Sequence, residues 1–457
     1  MKIQSEILVV LFILSLSILF RSYNLELRLP FSWDQDRDAQ VIWQIVNEGK
    51  LTLIGPRVIS DSAFFLGPLW YYLLTPFYML FGMDPIAVGF FAVFVGALTT
   101  LTFYLATKKI FGKTVGIFAS LIWASISNVV TWNPMLIPIF TLIFIFCLMK
   151  ILEGNRKYIV FGFLLIGLSL QLHFQTLFLF FPFTLANYYY FQKNRQLPYR
   201  YLMTGFLLFV LTFLPLIIFD LRHDFLNWNG LIRLFSGSGV SNEYQFSYFH
   251  YLNVTFFKFI NSLNFYVPKV AFLPDWVEVV LGILTLAFSL LGIWISKISI
   301  NKKLILYSFI LPALVLIPLY KGNISEYYFM FTHVVIIFGL AVISKYLFQK
   351  NIVTKILICI IFMTIFLTRT KEVLTEIDYG GLYFKRQAVQ YLVNQQVDPI
   401  FNVSYSAPAN GDAGFDILFK VYGREPQNGH LWTIVIPSTA ENIPPIATFG
   451  EIGIIRR

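Results

Sequence analysis

Three carboxylates lie within five residues of one another near the start of the chain, in the segment 33–38, WDQDRD. Charge is scarce in this chain, because 13% of its residues are charged and 57% are hydrophobic. Helix capping by Ser32 or Asp34 explains one or two acids. It explains three less well, since Asp34 and Asp38 repel each other at i,i+4. The functional alternatives for Asp34 and Asp36 are a general base, whose pKa an apolar interface raises, and a cation site.

Further polar side chains lie in the loops that join the apolar runs. Arg57 either holds a phosphate bidentately or pairs with one of the acids. His173 is either a satisfied structural residue or a site residue, because an ionisable group near the outer face of a helical bundle is a site candidate by default. The candidate binding-site residues are Arg37, Arg57, His173, Gln175, Arg222 and His223. The weaker candidates are Asp224, Lys269, Lys321, Glu326 and Tyr327.

The apolar runs predict a polytopic helical membrane protein. The mean hydropathy is +0.71, and several nearly charge-free stretches approach the roughly 20 residues that a span requires. They include residues 7–20, 202–219, 279–295, 304–319 and 352–367. No small-x-small cleavage site follows the first stretch, so we expect it to stay as a membrane anchor.

The distribution of charge predicts the topology. Lysine and arginine collect in short loops, which the positive-inside rule places in the cytoplasm. These loops are residues 108–113, 156–157, 193–200, 297–303 and 345–355. Threading the chain through them gives about eleven spans, with the N-terminus in the cytoplasm and the C-terminus outside. Segment 158–190 either crosses twice in short helices that turn near His173 or is re-entrant.

This threading leaves two long outer loops and an outer tail. The first loop, residues 23–84, holds two interfacial helices, at about 36–48 and about 69–81. The second loop covers residues 220–278. The tail contains a helix at 383–395 and extended segments at 400–404 and 431–436, with a Gly-rich turn between the extended segments. We therefore predict an all-α membrane domain, residues 1–370, and a small extracytoplasmic α/β domain, residues 371–457.

Composition and motifs narrow the function. The net charge of +10 is the expected excess of cytoplasmic lysine and arginine, and no aromatic-basic RNA motif accompanies it, so we predict no nucleic-acid partner. Cys147 and Cys359 fall inside predicted spans and indicate neither a disulfide framework nor a zinc site. The nucleotide and hydrolase signatures of soluble enzymes are missing from the sequence. Nucleotide sugars are cytoplasmic, so a sugar-transferring site on the outside must use a lipid-carried donor.

The chain resembles the GT-C glycosyltransferases, and within them the bacterial family-39 group related to protein O-mannosyltransferases and to the aminoarabinose transferases of lipid A. The resemblance covers the whole chain. It rests on the span layout, with two interfacial helices after the first span, and on the motifs 33–39 (WDQDRDA), 53–57 (LIGPR), 65–74 (FLGPLWYYLL), 132–134 (WNP) and 170–174 (LQLHF). Many relatives have Glu after the first acid and His before the second proline, where this chain has Gln35 and Gly67.

This resemblance implies a sugar transferase of the cytoplasmic membrane that uses a polyprenyl-phosphate-sugar donor and an envelope acceptor, either lipid, glycan or protein. Asp34 matches the proposed base, with Asp36 as the second candidate. Arg57, Arg222 and His223 are expected to face the lipid phosphate, and His173 and Gln175 the sugar or phosphate. We expect an inverting reaction without cofactor or metal. The alternatives are a transporter or flippase of lipid-linked glycans, a polymerase or ligase acting through the second loop, and a non-catalytic scaffold.

Overall fold

The computed structural model describes residues 2–58, 64–127, 129, 131–236, 247–264, 274–320, 323–394 and 400–457. Helices dominate it. The α-helices are α1 (Lys2–Ser22), α2 (Leu25–Arg28), α3 (Trp33–Asn47), α4 (Leu69–Leu80), α5 (Ile86–Phe111), α6 (Lys113–Ala124), α7 (Ile137–Leu152), α8 (Lys157–Leu172), α9 (Phe180–Asn194), α10 (Tyr199–Thr212), α11 (Leu214–Arg222), α12 (Leu226–Ser236), α13 (Tyr248–Leu263), α14 (Asp275–Ile295), α15 (Ile300–Tyr307), α16 (Leu311–Leu316), α17 (Met330–Lys350), α18 (Ile352–Thr375), α19 (Leu382–Asn394) and α20 (Phe415–Val421). Short 3₁₀ helices cover Asn133–Leu136, Phe174–Leu179, Ile317–Tyr320 and Glu326–Phe329.

Many of these helices are built for a bilayer. Within the described ranges, seven helical stretches have the length and composition to cross a membrane, and the bent pair α10–α11 makes an eighth. The seven are Gln4–Ser22, Ile86–Phe111, Asn133–Leu152, Trp276–Ile295, Ile300–Tyr320, Glu326–Lys350 and Ile352–Thr375. Helices α6 and α8 are shorter apolar helices. The sequence predicted about eleven spans, whereas length and composition identify up to eight in the described residues, with α6 and α8 as further apolar helices.

Two of the breaks in these helices have clear causes. Helices α10 and α11 meet at 51°, because Pro215 in the first turn of α11 lacks the amide proton that would continue α10. Helix α8 ends where His173 adopts an extended conformation, with φ −160° and ψ 134°. The segment 158–190 therefore forms two helices, α8 and α9, with a break next to His173.

The C-terminal domain is a small mixed sheet with two helices. Its strands are β1 (Phe401–Ser406), β2 (His430–Val435), β3 (Ala447–Phe449) and β4 (Ile452–Arg456). Their order is β1-β2-β4-β3, with β1 and β2 parallel and the other pairs antiparallel. Helices α19 and α20 contribute Leu392 and Phe419 to the core that β2 and β4 share. The predicted helix and extended segments of the tail are confirmed to within two residues.

One hydrophobic core joins this domain to the segment 23–84. Buried residues of α3 and α4 such as Ile42 and Trp70 belong to the same cluster as Phe415 of α20. Backbone hydrogen bonds reinforce the junction, because the amides of Asp378 and Leu382 donate to the carbonyls of residues 27 and 29, at 2.8 and 3.0 Å. The chain that enters α3 is therefore held in place by the C-terminal domain.

Candidate active site

Helix α3 begins within the acidic motif, and its start is fixed by Gln35. The Oε1 atom of Gln35 accepts hydrogen bonds from the backbone amide and the hydroxyl of Ser32, at 3.0 and 2.9 Å. The Nε2 atom donates to Thr131 Oγ1 at 3.0 Å. Gln35 thus satisfies groups at the helix N-terminus and ties it to the segment that leads into Asn133. An ionised glutamate at this position could only accept, so a bond to Thr131 would require the threonine hydroxyl to donate instead.

Arg37 links the first and third acids of the motif. Its Nη1 lies 2.7 Å from Asp34 Oδ1, and its Nη2 lies 2.7 Å from Asp38 Oδ1. Asp38 is 1% exposed and also accepts a hydrogen bond from Trp70 Nε1 at 2.6 Å. The guanidinium offsets the repulsion that the sequence predicts between Asp34 and Asp38. Sequence reasoning gave Asp38 no role, since nothing in the motif indicated that Trp70 would meet it.

Burial and charge set the protonation of this network. Burial raises the pKa of Asp38 to about 6, against the opposing effect of Arg37 and Trp70. Burial also acts to lower the pKa of Arg37, but the charges of Asp38 and Asp34 outweigh it and raise that pKa above its ordinary value. Arg37 therefore stays cationic, and it holds the partly exposed carboxylate of Asp34 beside a buried acid.

Asp36 faces the C-terminal domain instead. Its Oδ2 accepts a hydrogen bond from Gln40 Nε2 at 3.0 Å. Burial raises its pKa, while the hydrogen bonds from Gln40 and from the Gly414 backbone, and the charge of Lys385, lower it. Lys385 is itself buried and donates to the carbonyls of Phe31 and Ala413, at 2.8 and 2.5 Å. Asp34 and Asp36 therefore point to different parts of the molecule.

A short hairpin carries Arg57. Backbone bonds from Gly55 to Leu66, from Leu66 to Pro56 and from Val58 to residue 64 measure 2.7, 2.9 and 2.9 Å. The hairpin packs so closely that a Cβ at Gly55 would overlap the carbonyl of Gly67, and one at Gly67 would overlap the Gln171 side chain. Any side chain at position 67 would therefore require Gln171 to move. The Arg57 guanidinium lies 5.9 Å from the centroid of the Phe65 ring.

These elements enclose a cavity of about 170 Å³, hereafter the first cavity. It brings together six of the residues singled out in the sequence, from four distant segments of the chain. They are Asp34, Arg37, Arg57, His173, Gln175 and Tyr327. The remaining lining residues are Pro56, Val58, Leu66, Trp132, Asn133, Pro134, Phe174 and Tyr328. Residues 132–134 form one of the motifs on which the resemblance rests, but sequence analysis assigned their side chains no role in a site.

Two uncharged polar groups face this cavity from the break after α8. Burial lowers the pKa of His173 to about 3, so its ring is neutral. The backbone amide of Gln175 donates to His173 Nδ1 at 3.4 Å, which leaves the proton on Nε2. The Oε1 atom of Gln175 is buried and has no hydrogen-bond partner among the residues that the structure describes. A buried acceptor without a partner is costly, so a ligand donor at this position would be stabilising.

Other predicted residues lie outside the first cavity. Arg222, His223 and Asp224 are exposed at the end of α11, and the His223 ring stacks on Phe219 with centroids 4.1 Å apart. Glu326 pairs with Lys258 at 2.8 Å. Lys269 and Lys321 fall outside the described residues.

A second cavity, of about 710 Å³, lies beside the first, between the segment 23–84 and the C-terminal domain. Both cavities are lined by Asp34 and Trp132. The second is completed by residues 376–380 and Glu451, which sequence analysis assigned only to a tail. Asp34 is therefore a carboxylate at the junction of two adjacent spaces, where it can take a proton from a group in either one.

Part of the chain is similar to a known protein family. Residues 66–219 match the family model of dolichyl-phosphate-mannose-protein mannosyltransferases. The match includes His173 and Gln175 but begins after Asp34 and Arg57. No curated protein matches the chain significantly.

Solved structures extend the likeness to the whole chain. ArnT from Cupriavidus metallidurans bound to undecaprenyl phosphate matches with a TM-score of 0.60 and 12% identity, over 98% of this chain and 97% of that one. The Archaeoglobus fulgidus oligosaccharyltransferase in the apo form matches with a TM-score of 0.52 and 12% identity, over 86% of this chain and 58% of that one. AglB from the same organism, in complex with an inhibitory peptide and a dolichol-phosphate, matches with a TM-score of 0.50 and 12% identity, over 93% and 64%.

The fold is thus that of the GT-C membrane glycosyltransferases, with a family-39 mannosyltransferase-like segment inside it. The predicted fold class and resemblance are confirmed. The repeated apolar helices, in this fold, make the chain a multi-pass membrane protein.

Proposed function

We propose that this protein is a glycosyltransferase that moves a sugar from a polyprenyl-phosphate carrier to an acceptor hydroxyl at the outer face of the cytoplasmic membrane. The observation that carries the proposal is the position of Asp34 between two cavities, the first of which holds the guanidinium groups of Arg37 and Arg57. The family match supports the same class of donor. So do the undecaprenyl phosphate and dolichol-phosphate named for the similar structures.

The proposed reaction is one inverting displacement. Asp34 takes the proton of the acceptor hydroxyl as its oxygen attacks the anomeric carbon, and the bond from that carbon to the phosphate oxygen breaks. The products are the glycosylated acceptor and the polyprenyl phosphate. A positioned general base typically contributes ~10²–10⁴-fold to such a step. A carboxylate beside the oxocarbenium-like transition state also stabilises it electrostatically.

The first cavity is proposed to bind the phosphate and the sugar. Arg57 suits a phosphate, because its planar guanidinium can donate two parallel hydrogen bonds to the phosphate oxygens. It lines the first cavity together with Arg37. His173, neutral and protonated on Nε2, and Gln175, with its unpaired oxygen, suit sugar hydroxyls. The contacts to phosphate predicted for Arg222 and His223 require these side chains to approach a cavity that they do not line here.

We also propose that no metal ion takes part. The spacing of Asp34 and Asp36 resembles a metal-binding D-x-D pair, but Asp34 is paired with Arg37. Asp36 is turned toward Gln40 and Gly414. A D-x-D site in which both carboxylates hold one divalent cation would require them to converge.

Label transfer tests the proposal. Purified protein is incubated with a set of polyprenyl-phosphate sugars, each radiolabelled in the sugar, and with cell-envelope acceptors. Transfer to an acceptor, lost in Asp34→Asn, is the expected result. Movement of the labelled lipid across vesicles without formation of any glycosidic bond would support the transporter alternative and contradict the proposal.

A further inference from the structure

The second cavity differs from the first in charge. Among the described residues that line it are four carboxylates, those of Asp34, Glu376, Asp378 and Glu451, against one cation, Arg28. The described lining of the first cavity instead has two guanidinium groups against one carboxylate. Because the two cavities adjoin at Asp34, their charges create opposite local potentials a short distance apart.

The cation of the second cavity is fully engaged by the protein. The Arg28 side chain is 1% exposed, and its Nε lies 3.0 Å from Glu376 Oε2. Its Nη1 donates to the carbonyls of Phe20 and Tyr23, at 2.9 and 3.2 Å, and its Nη2 donates to the carbonyl of Ser127 at 2.9 Å. All three nitrogens have partners, so Arg28 does not offer a phosphate the paired donors that it would need.

The other lining groups suit a saccharide. Trp132 and Tyr379 give the cavity aromatic surface, and Tyr379 is 51% exposed. Ionised carboxylates only accept hydrogen bonds, so they pair with the hydroxyls of a sugar and repel its phosphates. The volume of about 710 Å³ also falls within the ~300–1,000 Å³ of ordinary ligand sites.

We infer that the second cavity binds the acceptor, and that this acceptor is a sugar residue without phosphate or other anionic substituents. The inference rests on the proposed glycosyl transfer and narrows its acceptor from lipid, glycan or protein to an uncharged glycan. The C-terminal domain then determines specificity, because Asp378 and Glu451 form the wall that rejects anionic acceptors. The same chemistry is presented by a free oligosaccharide and by the terminal sugar of a lipid-linked glycan.

A competition between matched acceptors tests the inference. Full-length protein, with a polyprenyl-phosphate sugar that it uses, is given a neutral oligosaccharide and the same oligosaccharide carrying a phosphate. A serine- and threonine-containing peptide is a third acceptor. The expected kcat/KM for the neutral glycan exceeds that for its phosphorylated form by roughly tenfold or more, since like charges disfavour binding. Comparing free and lipid-linked forms of the neutral glycan distinguishes the two sources.

The double variant Asp378→Asn and Glu451→Gln tests whether these two carboxylates cause the discrimination against the phosphorylated acceptor. Asp378 Oδ1 accepts a hydrogen bond from the Gly380 amide at 3.1 Å. The double variant removes two charges, while the amide side chain introduced at position 378 retains an oxygen for that bond. The ratio between neutral and phosphorylated acceptors should fall toward one, with the donor KM unchanged. Glu425→Gln, an exposed acid of the same domain outside both cavities, is the matched control and should keep the wild-type ratio.

The possible results test the acceptor assignment separately from the proposed transferase activity. Equal or better use of the phosphorylated glycan, preference for the peptide, or an unchanged ratio in the double variant overturns the acceptor assignment while the transferase proposal stands. Absence of transfer from every donor to all three acceptors, and to envelope extract, overturns both.

Discussion

The guanidinium of Arg37 lies 2.7 Å from Asp34, the carboxylate at the junction of the two cavities. The same arginine contacts the buried Asp38 at an equal distance. A side chain that would otherwise rotate freely is thereby fixed by a cation that the protein interior holds in place. Positioning of this kind matters for a general base, which must lie within hydrogen-bond reach of the proton that it removes.

Asp34→Asn is expected to reduce transfer by ~10²–10⁴-fold, because the amide keeps the shape of the side chain but cannot accept the proton. The measurement is the single-turnover rate with labelled donor at saturating acceptor. Asp36→Asn serves as the comparison, since Asp36 lines neither cavity. Asp36→Asn should retain most of the rate. A loss in Asp36→Asn as large as that in Asp34→Asn would contradict the assignment of the base.

Arg57→Ala is expected to weaken donor binding far more than acceptor binding. A charge-assisted hydrogen bond contributes about 1.5–3 kcal/mol, so the donor KM should rise by roughly tenfold to a hundredfold. Arg57→Lys should recover only part of the affinity, because an ammonium cannot form the bidentate fork. The measurement is the donor KM at saturating acceptor.

Arg222→Ala and His223→Ala are the matched variants for the phosphate contact. Both residues are exposed and lie outside the two cavities, so we expect smaller changes in donor KM than for Arg57→Ala. A larger increase in donor KM from either variant would indicate that the phosphate binds near the end of α11 instead.

Asp38 should make stability depend on pH. Its pKa is raised from 3.8 to about 6, so the folded state binds this proton more tightly than the unfolded state does. The favourable contribution is complete below about pH 4 and is lost as the pH rises through about 6. The advantage of the wild type over Asp38→Asn in free energy of unfolding should therefore shrink with rising pH, by at most about 3 kcal/mol.

Denaturant unfolding in detergent at pH 4.5 and pH 8 measures this difference. The matched variant is Asp36→Asn, whose carboxyl in the wild type also has a raised pKa but does not contact Arg37. A gap between wild type and Asp38→Asn that grows with pH would mean that Arg37 and Trp70 lower the pKa of Asp38 by more than burial raises it.

Most of the helical fold follows from the sequence because hydrophobic length and loop charge are local signals. The helix at residues 69–80 and the break at His173 were predictable for this reason. A proline or an isolated polar residue is also a local signal, because it interrupts the apolar pattern at its own position in the sequence. The junction between the first outer loop and the C-terminal domain was not predictable, since Lys385 and Phe31 are 354 residues apart.

The candidate site was predictable in its parts but not in its assembly. Side-chain type alone marked four residues as site candidates, namely Asp34, Arg57, His173 and Gln175. The structure places all four around the first cavity. The division of roles within the acidic motif depends on partners that spacing does not reveal. Asp38 meets Trp70, whereas Asp36 meets Gly414, so three similar acids have three different environments.

Gly67→Ala should destabilise the hairpin that carries Arg57. A Cβ at this position would overlap the side chain of Gln171, whose Nε2 donates to the Thr212 carbonyl at 2.6 Å. Overpacking of this kind typically costs about 1–3 kcal/mol. We expect a lower melting temperature and a higher donor KM. Adding Gln171→Ala should recover part of the stability, and additive effects of the two changes would show that the contact does not matter.

The orientation of the chain decides whether the site meets lipid-carried donors at all. The positive-inside rule places Lys109 in the cytoplasm and Asn410 outside, and both side chains are exposed. In a background without Cys147 and Cys359, a cysteine at position 410 should react with an impermeant maleimide on intact cells, whereas one at position 109 should react only after permeabilisation. The reverse pattern would put Asp34 and both cavities on the cytoplasmic side, where nucleotide sugars are available. The proposal of a polyprenyl-phosphate donor would then lose its basis.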